Sequence, residues 1–89
     1  MRPAVQVQQV IVETSSGDGF TVTDRFRAII GESAMNRLTL IANERIAELT
    51  AVRVQGKTLL WLGEVVNCAP APDAMWAVQV RVKRSILIL

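Results

Sequence analysis

Apolar and polar positions near the C-terminus alternate with a period of two. The apolar positions are Trp76, Val78, Val80 and Val82, and the polar positions are Gln79, Arg81 and Lys83. Because successive side chains of a strand point to opposite faces, this pattern predicts a strand buried on one face and solvated on the other. The apolar segment Leu59–Cys68 predicts a second arm, so the two form a hairpin. Ala69–Ala74 contains two prolines, and we expect it to be a loop, neither helix nor central strand.

Shorter apolar segments upstream predict further strands, at residues 4–14, 20–30, 38–41 and 50–55. In the first, the apolar phase slips by one residue at Gln8–Gln9, which predicts a β-bulge. In the second, Phe26, Ala28 and Ile30 share the face predicted to be buried, opposite two arginines. Ser15–Gly19 predicts a turn between these two strands.

Two breaks separate the remaining strands. Gly31–Asn36 predicts a turn, in which Asn36 takes the left-handed conformation that glycine usually provides. Asn43–Leu49 predicts an irregular connection whose Ile46 and Leu49 plug the core. Five or six short strands with frequent turns and no long helix predict an all-β fold, a small antiparallel β-barrel. The 89 residues predict one domain, spanning residues 1–89.

Composition narrows the chemistry. The chain has no histidine and one cysteine, which excludes histidine-based catalytic and metal sites and an internal disulfide. The net charge of +2 is too small to indicate a polyanion-binding protein by itself. No catalytic constellation or glycine-rich phosphate loop is present, so we expect no enzyme activity, no cofactor and no metal. Without a signal-peptide stretch or an apolar run of membrane-spanning length, the sequence predicts a cytoplasmic protein.

Four residues of the hairpin interrupt or end its aliphatic pattern. Glu64 is expected to face outward and pair with a neighbouring arginine, Arg53 or Arg81. Cys68 is expected to be a small core residue. Trp61 and Trp76 are expected to pack against each other across the hairpin.

The order of strands and turns from Ala28 to Val82 resembles the PilZ domain. A strand runs into a turn containing Ser33, a short strand and a loop follow, and two long strands close the domain. PilZ domains are small bacterial barrels, many of which bind cyclic diguanylate (cyclic di-GMP). The resemblance therefore implies a PilZ-like barrel with a regulatory role in signalling, and cyclic di-GMP as the possible ligand.

The family binds its ligand with an RxxxR motif and a D/NxSxxG motif, and this chain matches each only in part. Ser33 matches the second motif, while Gly31 replaces its Asp or Asn and Asn36 replaces its glycine. Arg2 matches the first arginine, and Gln6 stands in place of the second. The resemblance thus implies Arg2, Ser33 and Asn36 as ligand-binding residues of a degenerate site. Losing one arginine and one acid removes about 3–6 kcal/mol, or about two to four decades of affinity.

Three functions follow from these observations. The first is a PilZ-like regulatory or protein-interaction module that binds cyclic di-GMP weakly or not at all. The second is a functional cyclic di-GMP receptor. The third is a nucleic-acid-binding barrel, and its basic residues would be Arg53, Arg81, Lys83 and Arg84.

The aliphatic run Ile86–Leu89 predicts an interaction surface. If the run is a strand, its side chains cannot all point into one barrel. Either the run folds instead as a short helix over the barrel mouth, or it is a strand whose second face contacts another chain. We expect the latter, either with a protein partner or as a homodimer.

Overall fold

The computed structural model describes residues 8–15 and 21–88, which form a six-stranded barrel. The strands are β1 (Gln8–Ser15), β2 (Val22–Ala34), β3 (Arg37–Ala42), β4 (Ala51–Gln55), β5 (Leu59–Ala71) and β6 (Met75–Leu87). All neighbours pair antiparallel in the order β1-β2-β3-β6-β5-β4, and β4 closes the barrel against β1. The predicted all-β class and small antiparallel barrel are confirmed.

Aliphatic side chains from all six strands fill the barrel interior, as the alternation predicts. Leu38, Val80 and Val65 lie opposite one another on β3, β6 and β5, and each is at most 1% exposed. Val78 is also fully buried, whereas the end positions of the predicted face, Trp76 and Val82, are half-buried. Valine suits the interior of the barrel because the bulk of a β-branched side chain lies close to the backbone of a tightly curved sheet.

The second strand is longer than its pattern predicts. β2 continues through Gly31 and Ser33 to Ala34, so the turn contains only Met35 and Asn36. The pairing of β2 with β3 shifts by one residue at Gly31, which is a β-bulge. The apolar pattern stops at Gly31 because a bulge and an exposed strand end follow it, rather than a long loop.

The proline-containing segment is also strand for half of its length, so its prediction as a loop was wrong. β5 runs to Ala71, with Pro70 opposite Trp76, and only Pro72–Ala74 forms a short 3-10 helix before β6. Pro70 is tolerated because this part of β5 has no strand along its other edge among the described residues.

The bulge predicted at Gln8–Gln9 lies at the boundary of the described residues. From Gln8 to Thr14 the pairing of β1 with β2 is regular, and its one shift lies between Thr14 and Ser15. The preceding positions of the pattern, and the predicted turn after Ser15, lie outside the described residues.

The connection from β3 to β4 is irregular, as predicted, and contributes one core side chain. Ile46 is 6% exposed, but Leu49 is 75% exposed and has a φ of 69°. The backbone explains this difference, because the amide of Leu49 donates to the carbonyl of Val65 at 2.7 Å. That hydrogen bond holds the backbone of Leu49 on β5 and leaves its side chain in solvent.

The two tryptophans lie at opposite ends of the hairpin, so the predicted contact between them was wrong. Trp61 is opposite Ser85, and Trp76 is opposite Pro70. Trp61 is buried beside Val54 of β4, while Trp76 is half-buried. Each tryptophan lies near the start of its strand. Because β5 and β6 are antiparallel, the starts of the two strands are at opposite ends of the hairpin.

We predict that Gly63→Ala destabilises the barrel by about 1–3 kcal/mol, the typical cost of overpacking. A Cβ at Gly63 would overlap the carbonyl oxygen of Arg81 and lie 3.0 Å from Cγ1 of Val80. Gly31→Ala is the matched control, because its Cβ would lie 3.3 Å from the side chain of Ile41 and 3.7 Å from the carbonyl oxygen of Thr39, without overlapping either. Urea denaturation of both variants measures the difference, and equal stability of the two would contradict the close approach at Gly63.

Candidate functional site

Two of the three residues implied by the PilZ resemblance, Ser33 and Asn36, lie at the end of the β2–β3 hairpin. Ser33 is exposed, and its strand position is opposite Leu38. Asn36 is in the two-residue turn, and its carbonyl accepts a hydrogen bond from the amide of Val82 at 2.8 Å. Asn36 does not have a positive φ, so the predicted left-handed conformation is wrong. Arg2, the third implied residue, lies outside the described residues.

The turn is therefore tied to β6 by its backbone rather than shaped around a ligand. Gly31, which replaces the Asp or Asn of the D/NxSxxG motif, is the extra residue of the β2–β3 bulge and is exposed. Of the implied side chains, the structure brings Ser33 and Asn36 to one end of the β2–β3 hairpin. A hydroxyl and an amide are hydrogen-bonding groups without charge, so they cannot neutralise a phosphate.

The strongest charge cluster of the described residues lies next to this turn, on the outer face of the barrel. Arg37 is opposite Arg81, and Arg81 is opposite Glu64 on β5. The guanidinium of Arg81 donates to the Glu64 carboxylate, and Lys83 lies 3.6 Å from its second oxygen. This confirms that Glu64 faces outward and pairs with an arginine, here Arg81.

The two cations change the acidity of Glu64. The hydrogen bond from Arg81 holds the pKa of the Glu64 carboxyl below its ordinary value, and the charge of Lys83 acts in the same direction. Burial opposes this effect, since the Glu64 side chain is 18% exposed. Glu64 is thus ionised at neutral pH and bonded to two cations, which suits a structural ion pair better than a general acid.

The four cations of the nucleic-acid hypothesis are mostly engaged with acids. Arg53 lies 2.7 Å from the carboxylate of Glu13, and Arg81 and Lys83 share Glu64. Of the four, Arg84 alone has no hydrogen bond, ion pair or ring contact with a described residue. A phosphate backbone would have to compete with these carboxylates for three of the four cations.

A different set of basic residues lines a groove of about 410 Å³ on the outer face of β1, β2 and β4. These residues are Arg25, Arg27 and Lys57. The sequence places both arginines on the outer face of β2 by alternation, but it does not show that β4 brings Lys57 to the same side. That proximity depends on the closure of the barrel between β1 and β4, so no local pattern of residues predicts the groove.

Other described residues with chemically active side chains lie outside the lining of this groove. Arg45 lies over the ring of Trp76, 5.9 Å from its centroid, and Cys68 is half-buried beside the core. A hydrogen bond with Asp24 raises the pKa of the Glu44 carboxyl, because two neighbouring carboxylates share a proton more readily than they both ionise. No group of three metal-ligating side chains occurs in residues 8–15 and 21–88.

Comparison of the chain with protein-family models, with curated proteins and with solved structures finds no match. Within the part of the chain that the structure describes, no helix has the length and apolar character needed to cross a bilayer. Proposals about function therefore depend on the geometry of the barrel and on the resemblance of its sequence pattern.

We predict that Glu64→Gln lowers stability at pH 7 and loses this effect as the pH falls. The folded pKa of Glu64 is lowered, so its stabilisation is complete above the unfolded pKa near 4.5 and disappears as the pH falls through the folded value. Thermal melts between pH 7 and pH 3 should therefore converge for the variant and the parent. Glu48→Gln, which removes an exposed acid of the β3–β4 loop, is the matched control. A difference that stays constant with pH would contradict the ion pair.

Proposed function

We propose that this barrel is a PilZ-like, non-catalytic interaction module that pairs with a second copy of itself and binds cyclic di-GMP weakly or not at all. The observation that carries the proposal is the unpaired edge at the end of β6, where the exposed side chain of Leu87 lies beyond the end of β3. A bacterial, cytoplasmic regulatory role belongs to the same proposal and follows from the resemblance to PilZ domains.

The chemistry at the β2–β3 turn supports weak binding of the dinucleotide. Ser33 and Asn36 are uncharged, and the carbonyl of Asn36 already accepts a hydrogen bond from Val82. Of the cations beside the turn, Arg37 donates to the side-chain oxygen of Gln79 at 3.5 Å, and Arg81 is bonded to Glu64. Recruiting Arg81 to a phosphate would break a charge-assisted hydrogen bond, so part of the binding energy would be lost.

We predict that cyclic di-GMP binds the chain more weakly than the low-micromolar range, as measured by calorimetry. Gly31→Asp combined with Gln6→Arg should strengthen binding at least about tenfold, since each restores a charge-assisted contact. Gly31 accepts a side chain if Ile41 yields by a few tenths of an ångström, because its nearest neighbour is Cγ1 of Ile41 at 3.3 Å.

The matched control for this experiment is Gly31→Ala with Gln6→Arg, which adds the same Cβ and the same arginine without the acid. Its affinity should lie below that of the aspartate variant. Tight binding by the parent chain would overturn the degenerate site. No gain in the aspartate variant would mean that the turn at Ser33 does not correspond to the turn of the family.

The edge of β6 is free because β6 is longer than its neighbour β3. The β3 pairing ends at Arg81, and the last bond across that edge is from the amide of Val82 to Asn36. The amide of Ile88 donates to Thr58 at 2.7 Å, so Ile88 directs its backbone groups towards β5. The backbone amides and carbonyls of successive residues point to alternate edges of a strand. Those of Ser85 and Leu87 therefore point to the free edge. No described residue pairs with that edge.

The tail predicted to be an interaction surface is thus an edge strand, at least to Leu87, and not a helix over the barrel mouth. Leu87 is 63% exposed, and Ile86 and Ile88 are half-buried. An unpaired edge with aliphatic side chains is a template for another strand. Two copies of one edge pair antiparallel about a two-fold axis, which gives a closed dimer.

The charges along the edge favour one register of self-pairing. An axis at Ser85 places Lys83 opposite Leu87 and Arg84 opposite Ile86 of the second copy, so each cation meets an aliphatic side chain. An axis at Arg84 would place the two Arg84 side chains directly opposite each other, and like charges in that position destabilise a sheet. The charge pattern therefore supports the register centred on Ser85.

We predict that the chain sediments as a dimer and that Ser85→Pro makes it a monomer. Proline at 85 removes an amide that faces the free edge, and strand edges tolerate proline. Ser85→Ala is the matched control, because it removes the hydroxyl and keeps the amide. Circular dichroism of each variant shows whether the barrel is still folded.

The register has its own test at Leu87. Leu87→Lys should weaken the dimer, because the new cation faces Lys83 of the second copy, whereas Leu87→Glu should keep or strengthen it. Both variants lose the same exposed leucine, so the difference between their dimer affinities measures the effect of the charge at position 87. Equal behaviour would overturn the register, a dimeric Ser85→Pro would overturn edge pairing, and a monomeric parent would overturn self-association.

A further inference from the structure

The basic side chains of the barrel divide into those with a partner and those without. Arg53, Arg81 and Lys83 bind carboxylates, Arg37 lies 3.5 Å from the side-chain oxygen of Gln79, and Arg45 lies over a tryptophan ring. The basic side chains that lack a hydrogen bond, ion pair or ring contact with the described residues are Arg25, Arg27, Lys57 and Arg84. Three of these four line one groove.

The register of three strands defines this groove. Ile11 of β1 lies at its floor, with Arg27 of β2 opposite on one side and Gln55 of β4 opposite on the other. Arg27 and Gln55 are thus separated by two strand spacings, about 9–10 Å. Arg25 lies two residues from Arg27 on the same face of β2, about 7 Å along the strand. Lys57, in the turn after β4, completes the lining on the far side.

Among residues 8–15 and 21–88, no acidic residue lines the groove. The nearest acid by register is Glu13, directly opposite Arg25 on β1. On its other side, however, Glu13 is opposite Arg53, which donates to the Glu13 carboxylate from Nε at 2.8 Å and lies 2.7 Å away through its second nitrogen. Because Arg53 holds this carboxylate, the charge of Arg25 is left without an ion pair.

We propose that this groove binds a small phosphate-bearing anion, through Arg25 and Arg27 on one wall and Lys57 on the other. Guanidinium groups match the oxygens of phosphate in a bidentate geometry, and the lysine supplies a further positive charge. The side-chain amides of Gln9 and Gln55, which also line the groove, offer donors for oxygens of the ligand.

The lining favours a small molecule over a nucleic acid strand. Single-stranded nucleic acids bind in grooves where aromatic side chains stack on successive bases. In the part of the chain that the structure describes, no aromatic side chain lines this groove. Its apolar side chains are those of Val10 and Ile11, a small apolar surface that suits a short aliphatic or sugar-sized substituent next to the phosphate. A volume of about 410 Å³ is within the range of small-molecule sites.

The experiment is a titration of the full chain with inorganic pyrophosphate, followed by calorimetry and by amide chemical shifts. We expect saturable binding, with the largest shifts at Arg25, Arg27 and Lys57. Arg25→Gln with Arg27→Gln should weaken binding at least about tenfold, since two charge-assisted contacts are lost. Arg37→Gln with Arg45→Gln removes the same charge outside the groove, and it should change the affinity less than about twofold.

Further titrations distinguish the sources of the phosphate. Phosphatidic acid vesicles that bind more tightly than pyrophosphate, with loss of binding in the Arg25 and Arg27 variant, would assign the groove to a lipid headgroup and keep its phosphate chemistry. An oligothymidylate that binds in preference to pyrophosphate would overturn the small-molecule site. Equal weakening in the two double variants, or no saturable binding of any phosphate compound, would overturn the groove as a site.

Discussion

The structure depends on the pairing of β1 with both β2 and β4, which closes the sheet. Closure turns a chain rich in valine into a molecule with an aliphatic interior, because every strand can direct alternate side chains to one enclosed space. Val12 of β1 and Val54 of β4 lie opposite each other across this closing pair, and both are fully buried. Without the closing pair, β1 and β4 would each present an aliphatic edge to solvent, which is a risk of aggregation.

Closure also requires the sheet to bend sharply, and the shifts in pairing occur where the strands bend. The β2–β3 pairing shifts at Gly31, and the β5–β6 pairing shifts before Gly63 and again at Val66. Each bulge adds a residue to one strand, which increases the local twist. Gly63 has a second role, since the backbone of β6 approaches it too closely for any side chain.

The sequence predicts those features of the fold that follow from the alternation of apolar and polar residues along a strand. The outward position of Glu64 and the buried positions of Val78 and Val80 depend only on local alternation, and the structure confirms them. The ends of the predicted buried face, Trp76 and Val82, are half-buried, and so is Gln79, which the alternation places on the solvated face. The strand ends were harder to predict, because they depend on whether a neighbouring strand is present. Pro70 can lie in a strand only because β4 does not extend alongside it, and no property of residues near Pro70 indicates the length of β4.

The candidate sites also depend on contacts between strands that the local sequence does not show. Ser33 and Asn36 could be identified from a motif, but the motif does not show that Asn36 is held by the backbone of Val82. The groove could not be predicted at all, because Arg27 and Lys57 are far apart in sequence and meet only across the closing strands. Which cations remain without an acid is likewise a property of the register, as the competition of Arg25 and Arg53 for Glu13 shows.

The two proposed surfaces are compatible because they lie on different parts of the barrel. The free edge of β6 faces the side of β3, whereas the groove opens on the outer face of β2, β1 and β4. β5 separates β6 from β4, which carries one wall of the groove, so a strand added at the opposite edge of β6 would not lie against that wall. A dimer of this kind would carry two open grooves related by its two-fold axis. A ligand in the groove would reduce the positive charge of each copy, and so would lower the repulsion between the copies without contacting the edge.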